Sequence, residues 1–178
     1  MLHLISDKLV KLVETNADTI ITRWVQRLQS DPTTTSFHDD ELKKFEIKAR
    51  MVLDELGKWV SYDTPKEDVG RKYALEGAGL FRMNIPLCEG ICGLILLKRT
   101  LWLFVMYESA FDTALELNQM RELNDRVVLF FDRAIYYFIR GYLEAMNCRI
   151  KELWGLTEEQ TQEIFFDKSF YGKVCAEQ

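Results

Sequence analysis

The sequence predicts an all-α, single-domain protein, and three observations carry that prediction. Apolar residues recur at helical spacing in one segment after another, and no stretch sustains the period-two alternation of a half-buried strand. Only 3 prolines interrupt 178 residues, which leaves room for long helices. Hydrophobic residues make up 48% of the chain and aromatics 12%, enough to build a core at this length and too much for a disordered polymer. The pattern resolves into about five to six main helices.

The first helix is expected over about residues 4–29, with Ile5, Leu9, Leu12, Val13, Ile20, Trp24 and Leu28 on one face. The run Thr15-Asn16-Ala17-Asp18 is weakly helix-forming and should kink or restart it. Asp31 to Ser36 reads as a loop, with Ser36 able to cap the next helix and Asp39 in its first turn. The second helix, about 37–60, presents Leu42, Phe45, Ala49, Val52, Leu53, Leu56, Trp59 and Val60. Tyr62-Asp63-Thr64 is a turn, and Thr64-Pro65-Lys66-Glu67 reads as a capping box with proline at the first helical position.

The third helix, about 65–81, aligns Val69, Tyr73, Gly77 and Leu80. Gly77 and Gly79 cost helix stability, so both are read as sites of close backbone approach. Met83-Asn84-Ile85-Pro86 breaks the chain, with Asn84 suited to a left-handed conformation. The fourth helix, about 86–111, is apolar nearly all round and should lie centrally. The fifth, about 118–147, carries two apolar stripes instead of one. Thr157-Glu158-Glu159-Gln160 is a second capping box, opening a short helix to about residue 168. The chain thus divides into a helical domain over 1–156 and a short helix with a loose tail over 157–178.

A net charge of −5 and a pI near 5.2 argue against nonspecific nucleic-acid binding, which needs a basic surface. The N-terminal residues lack the apolar centre of a signal peptide, and the 4 cysteines read as reduced thiols of a cytoplasmic protein. The greasiest stretch, 91–107, is broken by Lys98 and Arg99 into halves too short to span a bilayer, so no membrane association is expected.

Chemistry-bearing residues are sparse. The only histidines are His3, near a terminus, and His38, at the mouth of the second helix, so a histidine-held haem or metal inside the domain is not expected. Cys88 and Cys92 lie four apart on one helix face, which is half of a metal site. No second pair matches them, and the choice lies between packing and a redox-sensing thiol. Glu89, Glu108, Asp112, Asp132 and Glu144 are carboxylates spaced for ion pairs with Arg and Lys. Arg71, Lys72, Arg82, Lys98 and Arg99 gather around the third and fourth helices. Lys98 and Arg99 interrupt a buried pattern, so they snorkel, pair with acids or meet a partner.

The double-striped helix points to an interaction. One stripe is Leu123, Val127, Phe130, Ala134, Phe138, Gly141 and Ala145. The other is Val128, Phe131, Ile135, Ile139, Tyr142 and Met146, read as a dimer or partner interface, with plain core or a ligand pocket as alternatives. A pocket near Cys88, Cys92 and Leu96, and a partner contact at Arg82, Lys98 and Arg99, complete the candidate sites.

Three segments carry a resemblance: Ile20-Ile21-Thr22-Arg23-Trp24; Phe81 to Leu87 leading to Leu96-Leu97-Lys98-Arg99-Thr100-Leu101-Trp102; and Phe130 to Tyr136. Over about residues 4–147 the chain resembles the RsbR/RsbRD N-terminal domain family, sensory domains that precede STAS domains in bacterial stressosome proteins and precede some signalling kinases. The resemblance implies a globin-like helical fold without haem, a homodimer built from the late helices, and a role in receiving a stress signal. No STAS domain or kinase core follows within the 178 residues, so output is expected in trans, through a signalling partner, or through a longer protein of which this is a fragment. The expected function is a non-enzymatic sensor module without cofactor. The alternative is a small-molecule or haem-binding globin relative.

Overall fold

The computed structural model describes residues 7–37, 39–61, 63–109, 113–155, 157, 159 and 160, with residues 39–41 described by their backbone alone. His3, His38 and the helix expected over 161–168 lie outside the described residues, as do Asp112 and Cys175. Among the described residues there are seven helices and no strand: α1 (Asp7–Thr15), α2 (Ala17–Ser30), α3 (Asp39–Asp54), α4 (Leu56–Val60), α5 (Lys66–Arg82), α6 (Leu87–Glu108) and α7 (Ala114–Trp154). The chain is an all-α bundle around one core.

The expected first helix is two helices, restarted at Asn16. There the Asn16 Nδ2 donates to the Leu12 carbonyl at 2.8 Å, ending the α1 ladder with a side chain. Val13, Ile20, Trp24 and Leu28 are buried on the predicted face. The expected second helix also divides, at Glu55. The break lets the Gly57 amide, an orphan donor in the first turn of α4, reach the Glu14 carboxylate of α1 at 2.9 Å.

Two predicted caps are corrected. Thr64 does not close a capping box, because its hydroxyl donates to the Lys58 carbonyl; Pro65 precedes α5 instead of forming its first residue. Ser36 turns to α6, giving its amide and its hydroxyl to the Glu89 carboxylate, each at 2.8 Å. The α5–α6 corner follows the prediction. Asn84 has φ 55°, and the Asn84 amide donates to Phe81 and the Ile85 amide to Leu80, a Schellman closure with the buried side chains of Leu80 and Ile85 at its base. α7 starts earlier than expected because Thr113 and Glu116 form a capping box. It ends at Gly155, which has φ 63°. The box at Thr157 is present, with Thr157 and Gln160 exchanging hydrogen bonds.

The closest packing in the molecule is α5 against α7. A Cβ on Gly77 would collide with the carbonyl of Phe138, and a Cβ on Gly141 with the carbonyl of Ala74. The two glycines therefore let each helix lay its backbone against the other. Gly79, expected to do the same, faces open space. α6 packs against the pair and against α2, to which the buried Trp24 Nε1 ties it by donating to the Gly93 carbonyl at 2.9 Å.

α6 is not wholly interior. Nine of its residues are buried, yet Ile95, Met106 and Tyr107 are exposed. Reading it as two short halves also understates it. Its 22 residues contain a window of mean hydropathy 1.5, long and apolar enough by composition to cross a membrane, and 44% of that window is buried inside the bundle.

The two-glycine contact makes a sharp prediction. Gly77→Ala should lower stability by about 2 kcal/mol or more, because backbone must move to admit one methyl. Gly79→Ala should raise it by up to about 1 kcal/mol through helix propensity. Urea unfolding of the two variants measures both; equal midpoints would refute the assigned contact.

Candidate functional site

α7 assigns different work to its two stripes. Leu123, Val127, Phe130, Ala134, Phe138 and Gly141 are all buried and form the core face. The second stripe is mixed. Phe131 is 0% exposed and packs edge-on against Phe130 at 5.2 Å, so it belongs to the core and is removed from the expected interface. Tyr142 is half-buried. Its hydroxyl donates to the Ile85 carbonyl at 3.2 Å and its ring meets Phe81. Val128 is exposed, and Ile135, Ile139 and Met146 are half-exposed.

α6 runs antiparallel beside this stripe. Lys98 Nζ lies 3.3 Å from Asp132 Oδ1, and the C-terminal half of α7 reaches the start of α6 through the Tyr142–Ile85 bond. Stepping back along α6 from Lys98 and on along α7 from Asp132 brings Ile95 level with Ile135, and Ile91 with Ile139. All four are at least partly exposed. The two helices thus share an apolar outer face with one ion pair within it. Lys98 resolves its own ambiguity by pairing with an acid, while Arg82 and Arg99 stay exposed.

Toward its end α7 is only partly covered: Ala145 and Met146 are half-buried, and Phe81 and Arg82 of α5 line a groove with Cys148 and Glu152. The last buried residue of α7 is Gly141, although the helix continues to Trp154. On this overhang Leu143 is 37% exposed, Leu153 61% and Trp154 70%. Ile139, Met146 and Leu153 recur every seven residues, the period of a two-helix seam. The exposure of Leu143, Leu153 and Trp154 was missed from the sequence; the heptad continuing past the last core residue was the available signal.

An internal cleft opens between α3, α5 and α6. Trp24, Phe45, Val52, Leu94, Leu97 and Phe138 line it, and Lys48, Lys72 and Glu76 stand at its polar side, with Lys48 ion-paired to Glu76. It encloses about 410 Å³ counting its open mouth. The expected pocket residues are elsewhere. Cys88 is exposed, Cys92 shares a 3.4 Å hydrogen bond with the Thr33 hydroxyl, and Leu96 packs against the core, so none of the three lines the cleft.

Three of the five candidate carboxylates are occupied in structure. The buried Glu89 accepts twice from Ser36, Asp132 pairs with Lys98, and Glu108 lies 4.0 Å from Arg23. Among the described residues no group of three His, Cys, Asp or Glu is placed to hold a metal ion. The chain matches no protein-family model, no curated protein and no solved structure.

Tyr73, at the cleft wall, has its phenol pushed above the ordinary tyrosine value by burial and then by the Glu76 carboxylate. A raised folded-state pKa holds the group neutral in the native protein, so its stabilising contribution is present below about pH 10 and fades above it as the unfolded phenol ionises. Tyr73→Phe should therefore reduce the loss of stability above about pH 10 relative to the parent chain. Denaturant midpoints of both proteins across that range decide it; parallel curves would refute the assignment.

Proposed function

We propose that the chain is a cytoplasmic sensor or regulatory module of bacterial signalling, non-enzymatic and without haem, which acts through protein contacts and forms a homodimer across its late helices. The single observation that carries this reading is the continuous apolar path over α6 and α7. It begins at Ile91 and Ile95, crosses Ile135 and Ile139, and continues along the overhang through Met146 and Leu153. A monomer has no use for an apolar seam that outruns its core. A second copy laid against the same face would bury the seam and support the overhang.

The resemblance to the RsbR/RsbRD N-terminal domains points the same way: a globin-like bundle whose late helices pair, with output passed in trans to a signalling partner. A signal that repacks α6 on α7 would shift a two-state equilibrium at this interface. The alternative reading, a small-molecule sensor, has its place in the apolar cleft, where Lys48 and Lys72 would meet a ligand's polar end. In the present conformation the cleft holds only about two water-sized molecules, so a larger ligand requires α3 or α5 to move.

Native mass spectrometry of the purified protein should give a bare dimer. Ile95→Glu and Ile135→Glu should each give a monomer with an unchanged helical circular dichroism spectrum. A dimer that survives both substitutions refutes this interface, and an adduct mass on the parent protein moves the reading to the small-molecule sensor.

A further inference from the structure

An open groove of about 1020 Å³, counting its mouth, runs between α5 and the C-terminal part of α7. Small residues from both helices line it. Gly141 is buried, and Ala74, Ala78 and Ala145 are half-buried, so another backbone can come close. Leu75 lines the same groove at 64% exposure. The charged residues of the lining are Arg82, Glu144, Arg149 and Glu152, two of each sign, and Arg149 pairs with Glu152 at 3.3 Å. The lining thus carries no net charge, and what it offers a partner is apolar surface.

The chain itself supplies an occupant at one end of this groove. Gly155, with φ 63°, ends α7 in the left-handed conformation that turns a chain out of its helix. Two residues later a new helix is capped. The Thr157 amide donates to the Gln160 side chain at 2.9 Å, and the Gln160 amide donates back to the Thr157 hydroxyl at 3.3 Å. A connection this short between two helices makes them antiparallel neighbours. Beyond Gln160 the sequence carries Ile164, Phe165, Phe166, Phe170 and Tyr171, five large apolar side chains that gain by leaving water. The sequence reads residues 157–168 as helix, and that length spans about 18 Å. Along α7, Glu152 back to Gly141 spans about 16 Å. A helix returning from Thr157 would therefore run the length of the groove.

We propose that the groove is the seat of this chain's own C-terminal segment, residues 157–171, folded back along α7 as the second arm of a helical hairpin. Docked there, the segment buries Leu75 and Cys148 and braces the end of α7. Released, it bares an apolar groove. The groove lies about 130 degrees round α7 from Ile139, Met146 and Leu153, so the segment and a second copy take different sides of the helix. The seat exists with or without the dimer seam.

Cys148 reports on the seat, because it lines the groove and is exposed while the groove is open. The full chain carrying Cys88→Ser, Cys92→Ser and Cys175→Ser leaves Cys148 as its single thiol, and alkylation by iodoacetamide is followed by intact mass. Phe165→Asp with Phe166→Asp should raise the rate about tenfold or more by releasing the segment. Leu75→Asp, at an exposed position of α5, should raise it likewise from the other side of the contact, with the cooperative urea transition retained in both. Equal rates in parent and tail variant overturn the proposal, as does a rise that Leu75→Asp fails to reproduce. Protection of Cys148 that disappears on dilution also overturns it, since the occupant is then a second copy of the chain.

Discussion

The contact on which the rest of the molecule depends is the reciprocal approach of two backbones, Gly77 against the Phe138 carbonyl and Gly141 against the Ala74 carbonyl. One glycine alone would let a single helix come near. Two glycines, one on each helix, fix both the separation and the register of α5 and α7. Phe138 then serves two neighbours. Its carbonyl faces α5, and its ring fills the space where Gly90 of α6 has no side chain. The same placement brings Tyr142 under the α5–α6 corner, where its hydroxyl meets Ile85. Moving α7 outward by the width of a methyl group would disturb these contacts together.

Polar groups inside this frame act as fasteners between segments distant in sequence. Trp24 reaches Gly93, Ser36 reaches Glu89 and Gly57 reaches Glu14, each at 2.8 to 2.9 Å. Each satisfies a buried donor or carboxylate that would otherwise be costly. Glu89, a buried acid in the first turn of α6, has both oxygens committed to the loop that follows α2.

The helical class, the kink at Asn16, the corner at Asn84 and the core stripe of α7 were all readable from local chemistry. Weak helix formers, a left-handed residue and a seven-residue apolar pattern act within a few turns of the chain. The errors fall where a distant element decides. Ser36 has the composition of a cap, but Glu89 lies 53 residues away and competes for it. Thr64 has the spacing of a capping box, but the Lys58 carbonyl is nearer to its hydroxyl. Phe131 has the periodicity of an interface, but only the packed bundle shows that its ring is enclosed. Gly77 and Gly79 are alike in sequence, and the direction of the helix face separates them. The cysteines failed as pocket markers for the same reason, since the cleft lies on the Leu94 and Leu97 side of α6.

One helix consequently carries three kinds of surface. The glycine-lined face of α7 fixes it to α5, and this contact cannot slide without a backbone collision. The outer stripe is apolar and only partly covered, and it continues past Gly141, the last buried residue of the helix. The Arg126–Arg133 side meets the α4–α5 turn. A rigid attachment at the centre with less constrained ends on either side is the arrangement in which an event at one end of a helix can be felt at the other, because an α-helix transmits rotation and tilt without absorbing them. The Val128, Ile135 and Ile139 stripe lies about 150 degrees round the helix from the arginines, so any turn of α7 beneath the α4–α5 turn would move that stripe relative to α6. The Lys98–Asp132 pair joins α6 to α7 along this stripe, so a change in their relative rotation would alter its 3.3 Å separation.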